Sequence, residues 1–214
     1  MKKLTILLAI AFFGFLYSCS IIEDVIKPDK LSGNQSTIGE VGNVFTLGSS
    51  VTELGNVDAK VASLDDGVSS ISISIDIKNA KAREIAKAIP DLNWDGDKVS
   101  VTRKYRITDE GIQSVHDEGN LTMVKYDAKI GDSYSLKMNG KTVKRTVEYK
   151  SVDDEYAYGF YDIKVMKVKE TGRGLPGVTN LEYVLNHKFG LVGIVLNFED
   201  GSSKTIPLYS RNEN

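Results

Sequence analysis

Asp91-Leu92-Asn93-Trp94-Asp95-Gly96-Asp97 sets side-chain oxygens at alternate positions and adds a glycine, the spacing with which a calcium-binding loop opens. Asp91, Asn93, Asp95 and Asp97 are the ligands such a site would use. A bidentate glutamate should close the loop at its twelfth position, where this chain has Thr102, and Val99 to Ile107 reads as strand where an exit helix is required. An Asp-Gly turn feeding a strand is therefore the expected structure, with no resident cofactor, and Ca²⁺ is the alternative.

Gly172-Arg173-Gly174-Leu175-Pro176-Gly177 has the glycine spacing of a dinucleotide loop and follows a candidate strand. That motif aims helix N-terminal amides at a pyrophosphate, and here the next segment, Val178 to Asn186, reads as strand, so an inter-strand loop is expected. The two histidines, His116 and His187, lie far apart, and His-Glu-x-x-His, Gly-x-Ser-x-Gly and Ser-x-x-Lys are absent. No catalytic residue is assigned. A hydrolase would need one of those histidines to meet a serine and a carboxylate from distant segments. Asp65-Asp66 and Asp153-Asp154-Glu155 read as solvated turns, since adjacent carboxylates on an extended chain diverge. Tyr156, Tyr158 and Phe160 share one face if their segment is a continuous strand. Such a row can stack on a ligand, although most rows of this kind pack a sheet.

Cys19 is the only cysteine of the 214 residues. It follows Lys2, Lys3 and an apolar run from Leu4 to Leu16, too short to cross a bilayer core of about 30 Å as a helix, which reads as a secretory signal. The run ends in Leu16-Tyr17-Ser18-Cys19, which resembles the lipobox of bacterial lipoproteins, with an aliphatic residue three before the cysteine and a small one just before it. Tyr17 departs from the small residue common at its position, although looser forms occur in Bacteroidota lipoproteins. The resemblance implies cleavage before Cys19, diacylglycerol on its sulfur and further acylation of the new amino group, palmitate being a typical chain. Two or three chains anchor stably because burial contributes roughly 0.8 kcal/mol per methylene. The mature chain would then hold no thiol for a disulfide, a zinc site or a nucleophile.

The expected organisation is a signal peptide over residues 1–18, a lipidated flexible tether over 19–39 and a β-rich globular domain over 40–214, with two subdomains joined near 90–98 as the alternative. Loss of Lys2 and Lys3 takes the net charge from −2 to −4. Nothing in that balance favours nucleic acid, and no basic face interleaved with aromatics is present. Expected partners are the membrane, reached through the lipid, and an apolar ligand or another envelope protein.

The elements that position these residues are mostly strands. Ile71, Ile73, Ile75 and Ile77 alternate strictly with Ser72, Ser74 and Asp76, which buries one face of a sheet. Strands are expected at 99–107, 120–130, 133–138, 143–149, 160–169, 181–186, 191–198 and 203–209. Asn139-Gly140 and Asp200-Gly201 predict two-residue hairpin turns, and Lys188-Phe189-Gly190 a third turn. Residues 80–89 carry helical periodicity, with Asn79 as N-cap and Pro90 as terminator. The fold class is thus mainly β (α+β), a large curved and mostly antiparallel sheet with one helix. That outline is similar to the half-barrels of LolA-like lipoprotein carriers. Together with the lipobox, the tether and the run 181–193 resemble small Bacteroidota cell-envelope lipoproteins, an outer-membrane address facing periplasm or exterior being implied. A non-enzymatic binding or structural role is the leading expectation, a carrier of lipid or another apolar ligand is the first alternative, and a hydrolase is the second.

Overall fold

The computed structural model describes residues 30–48, 57–77, 83, 92–138, 140–175 and 177–212. The signal segment, Cys19, Asp91 and the expected helix at 80–89, Arg83 apart, lie outside the described residues.

The chain is mainly β and antiparallel. Its strands are β1 (Asn43–Leu47), β2 (Val57–Asp65), β3 (Val68–Asp76), β4 (Asn93–Asp95), β5 (Lys98–Thr108), β6 (Gly111–His116), β7 (Gly119–Lys125) and β8 (Ser133–Met138). They continue with β9 (Lys141–Lys150), β10 (Tyr156–Tyr158), β11 (Tyr161–Ile163), β12 (Met166–Thr171), β13 (Val178–Asn186), β14 (Gly190–Phe198) and β15 (Ser203–Asn212). The pairing order is β7-β6-β5-β3-β2-β1-β15-β14-β13-β12-β9-β8, with β4 added beside β5 and β10 paired to β11 alone. Apart from β7 and β8, each barrel strand therefore pairs with the next one along the chain, β1 pairs with β15, and the sheet curls until its two ends, β7 and β8, stand side by side. The result is a nearly closed up-and-down barrel, the curved and mostly antiparallel sheet that was expected, wrapped further round than the half-barrels it was likened to. Pairing β1 with β15 joins what would otherwise be two exposed edges.

Alternation decides which side chains enter the barrel. Val99, Val101, Tyr105 and Ile107 of β5 face inward, as do Leu181, Tyr183 and Leu185 of β13 and Ile194, Leu196 and Phe198 of β14. The isoleucine strand behaves as its pattern requires, with Ile71 and Ile75 buried in the same core. A one-residue bulge between Val184 and Leu185 shifts the register with β14. Val184 faces outward by alternation with Tyr183 and Leu185, the bulge turns Val192 outward beside it, and Tyr158, Ile163 and Val165 cover both. The small β10–β11 hairpin is thus a lid on the outside of the sheet.

Residues 31–39, expected to belong to the tether, are part of the body. Leu31 and Ile38 are buried, Leu31 N donates to Gln113 Oε1 at 3.1 Å, and Ser36 N donates to the Ile107 carbonyl at 3.0 Å. A 3-10 turn at Thr37–Gly39 carries Ile38 over one end of the barrel, against Gly190 and Ile112. Polar composition misled here because this segment pairs its backbone with β5 and β6 and needs only two apolar anchors.

Other boundaries also moved. β1, β2 and β6 were not expected: β2 turns only Val57, Ala59 and Val61 inward, and β6 carries Gln113, Ser114 and His116, whose polarity hides a strand. The strand expected over 120–130 stops at Lys125, and the one expected over 160–169 is broken into β11 and β12. One sheet carries strands from both sides of residues 90–98. The Asn139-Gly140 position is a two-residue turn between Met138 and Lys141, Asn139 itself lying outside the described residues. Asp200-Gly201 belongs instead to a three-residue loop: Phe198 N donates to the Ser202 carbonyl at 2.9 Å, and Gly201 adopts φ 82°, the left-handed bulge position of such loops.

Gly111 of β6 shows how closely the backbones approach. A Cβ there would stand 2.2 Å from the Val124 carbonyl oxygen, a backbone atom that cannot swing away. Gly111→Ala is expected to lower stability by about 1–3 kcal/mol, as overpacking does, read from the urea midpoint. Gly140→Ala, at an open site, should cost only the left-handed backbone penalty of roughly 1–2 kcal/mol. Equal midpoints for Gly111→Ala and the parent would contradict the close approach.

Candidate functional site

The barrel interior has two zones. Near the Ile38 end an apolar cavity of about 90 Å³ is lined by Ile38, Phe45, Ala59, Ile71, Ile107 and Leu208 among others, with Tyr105 also on its wall. In the other zone, a group of charged side chains stands on strand positions that alternation turns inward. Arg145 sits between Val143 and Val147 on the inner face of β9, and Glu170 follows Met166 and Val168 on the inner face of β12. Arg173 is delivered by the β12–β13 loop, three residues beyond Glu170.

Arg145 is 0 % exposed. Its Nε donates to Glu170 Oε2 at 2.7 Å, and its Nη1 donates to the Leu121 carbonyl on β7 at 3.0 Å. Arg173 donates Nε to Glu170 Oε1 at 2.5 Å and Nη2 to Glu170 Oε2 at 2.9 Å. One carboxylate thus holds two guanidinia, and Arg145 ties β12 to the far edge of the sheet across the β7–β8 seam. Tyr183 presents its ring to Arg145, 5.3 Å from guanidinium carbon to centroid.

The electrostatics follow from this packing. Burial by itself would raise the Glu170 carboxyl, but Arg173 and Arg145 outweigh it and bring it down to about 2. Desolvation and the same carboxylate act oppositely on Arg173, the carboxylate wins, and its guanidinium is held charged. Burial pushes the Tyr183 and Tyr105 phenols up, so both stay neutral. His116, at the end of β6, is pulled down to about 4, first by burial and then by the charges of Arg145, Arg173 and Arg103.

His116 is an inward residue of β6, with Nε2 2.9 Å from Ser114 Oγ. This pair lacks what a base-activated nucleophile requires. Ser114 is buried, and its hydroxyl donates to the Leu121 carbonyl at 3.0 Å. A histidine pulled down to about 4 is a weak base at neutral pH. Glu170, the carboxylate of the cluster, spends its oxygens on the two arginines. His187 is exposed in the β13–β14 turn, its ring edge-on to Tyr126 at 6.4 Å.

The other residues singled out in the sequence fall outside this zone. Asn93 and Asp95 lie on β4, hydrogen-bonded to β5, and the Asp97 carboxylate pairs with Arg83, so the segment forms a hairpin rather than a loop wrapped around a cation. Among the described residues no group of three or more histidines, cysteines, aspartates or glutamates is placed to hold a metal ion. The row Tyr156, Tyr158, Phe160 is broken by a turn at Gly159-Phe160. Tyr156 and Tyr158 pack inward on the hairpin, Tyr158 against Phe189 and Tyr209 at 4.7 and 5.0 Å between centroids. Phe160 stands alone at the tip, 104 % exposed. The 172–177 glycine segment is an inter-strand loop, as expected, but one anchored by buried Arg173 and Leu175.

Sequence reasoning missed Arg145, Glu170 and Arg173, the residues that form the site. A signal was available: a charged residue that keeps the inward parity of an apolar strand, as Arg145 does between Val143 and Val147, must meet a countercharge inside. Comparison with protein-family models, with curated proteins and with solved structures finds no match.

Two pH-dependent contributions to stability follow, both lost in acid. Glu170, depressed from 4.5 to about 2, contributes stability that is complete above 4.5 and disappears as pH falls towards 2. His116, depressed from 6.5 to about 4, is protonated preferentially in the unfolded chain, so it destabilises the fold increasingly between pH 6.5 and 4. The urea midpoint should fall in two stages between pH 8 and 3, and His116→Gln should abolish the upper one alone. An unchanged upper stage in that variant would remove His116 from the account. Glu170→Gln, which leaves two buried guanidinia without a countercharge, is expected to cost about 3–5 kcal/mol by urea denaturation at pH 7.

Proposed function

We propose that this chain is a lipid-anchored protein of the cell envelope with a non-enzymatic binding role, its barrel enclosing a small ligand. The anchor is supported by sequence, through the signal-like run and the lipobox at Leu16-Tyr17-Ser18-Cys19. The observation that carries the binding role is the apolar cavity of about 90 Å³ on the inner face of the barrel near Ile38. Native interiors leave few voids larger than a water molecule, and an apolar void that persists forfeits packing energy unless something fills it.

The same volume argues against a carrier of long acyl chains. Pockets for drug-sized molecules run to about 300–1,000 Å³, and a cavity of about 150 Å³ is needed for benzene. A ligand of a few carbon atoms fits the space, whereas a diacyl lipid does not. A hydrolase reading is weakened by the committed hydrogen bonds of Ser114 and the low basicity of His116.

Anchoring is tested by fractionation. The parent chain, expressed in a bacterium that processes lipoproteins, is expected in the membrane pellet with diacylglycerol on Cys19 by mass spectrometry. Cys19→Ala should move it to the soluble fraction. A parent protein with unmodified Cys19, or a variant that still pellets, would end the lipoprotein reading.

A further inference from the structure

The interior holds more positive than negative charge. Arg145 and Arg173 share the single carboxylate of Glu170. Glu118, in the turn after His116, has buried carboxylate oxygens but makes no hydrogen bond to either. The tyrosines are neutral, and His116 is neutral above about pH 4. Two nitrogens remain unspent, Arg145 Nη2 and Arg173 Nη1, both buried and without a hydrogen-bond partner. A buried donor left unmade is costly, and a buried unbalanced charge more so. Both costs vanish if an anion sits against those nitrogens.

Tyr105 links this zone to the cavity. Its side chain lies on the cavity wall, and its phenol feels the charges of Arg145, Arg103, Arg173 and Glu170. The interior therefore offers apolar space on one side of Tyr105 and spare guanidinium donors on the other. A ligand that satisfies both is an anion with a short hydrocarbon tail.

We propose that the barrel binds a short-chain monocarboxylate, its carboxylate on Arg145 Nη2 and Arg173 Nη1 and its chain in the apolar cavity past Tyr105. Planar carboxylates match guanidinium donors geometrically, and a cavity of about 90 Å³ limits the tail to about three or four carbons. This inference rests on the small-ligand reading above and adds the headgroup.

The test uses the soluble Cys19→Ala chain and butyrate as probe, with phosphate, acetate and n-butanol compared at fixed ionic strength. Butyrate at ten times its Kd is expected to raise the melting temperature by roughly 3–5 °C, more than any of the other three. Arg173→Met keeps Arg145 and Glu170 as a neutral pair and should fold while losing the butyrate response. Ala59→Leu fills the cavity from β2 and should lose it too, so the proposal stays testable if Arg173→Met does not fold. No butyrate shift, or equal shifts from phosphate and acetate, overturns the proposal. A shift from n-butanol alone, abolished in Ala59→Leu, overturns the anionic headgroup and leaves the small-ligand reading standing. No shift from butyrate or n-butanol, with Ala59→Leu more stable than its parent, removes both.

Discussion

Glu170 holds two guanidinia in the buried interior of the barrel, and the closure of the sheet leans on that arrangement. Arg145 springs from β9, takes its countercharge from β12 and gives its remaining bond to a β7 carbonyl. It therefore reaches from β9 across β8 to β7, spanning the seam where the hydrogen-bonded ladder is interrupted. Lys150 adds a second tie, donating to the carbonyls of Tyr126 and Ala128 in the connection between β7 and β8. An ion cluster of this kind is a poor source of net stability compared with an apolar replacement of equal volume, because desolvation offsets most of the attraction. Its value lies in specificity, since a misregistered β9 would strand a buried charge.

The same cluster divides the interior. On one side of Tyr105 the inward residues are aliphatic and pack around a small void. Away from that void Arg145, Glu170 and Arg173 stand among aliphatic neighbours, with Arg145 Nη2 and Arg173 Nη1 left without a hydrogen-bond partner. A barrel of twelve strands is wider than its side chains fill easily, and the sequence meets that width by different means in different places. The Thr37–Gly39 turn plugs one end with Ile38, the β12–β13 loop sends Arg173 inward, and the β10–β11 hairpin seals the outer face where Val184 and the bulge residue Val192 stand. Each is an accessory to the meander, and each acts where alternation alone would leave a defect.

Much of the sheet was legible in the residue order. Strict alternation in 71–77 and the apolar runs of β5, β8, β9, β13, β14 and β15 mark strands whatever their partners, because period two buries one face by geometry. Polar signals were read less well. Gln113, Ser114 and His116 obscured β6, since a strand facing a buried polar cluster does not look apolar, and the polar segment before residue 40 looked like linker although it packs on the barrel.

What the sequence determined by itself was therefore local: strand periodicity, turn chemistry at Asn139-Gly140, and a lone cysteine placed where lipidation would require it. Only the tertiary structure decided that β1 meets β15, that Tyr156 and Tyr158 are separated from Phe160 by a turn, and that Arg145, Glu170 and Arg173 converge. The physical reason is range. Periodicity and turn preference act over a few residues, whereas Arg145 meets Glu170 only because β9 pairs with β12 in the register that sets the two side by side, and nothing near Arg145 in the chain announces that partner.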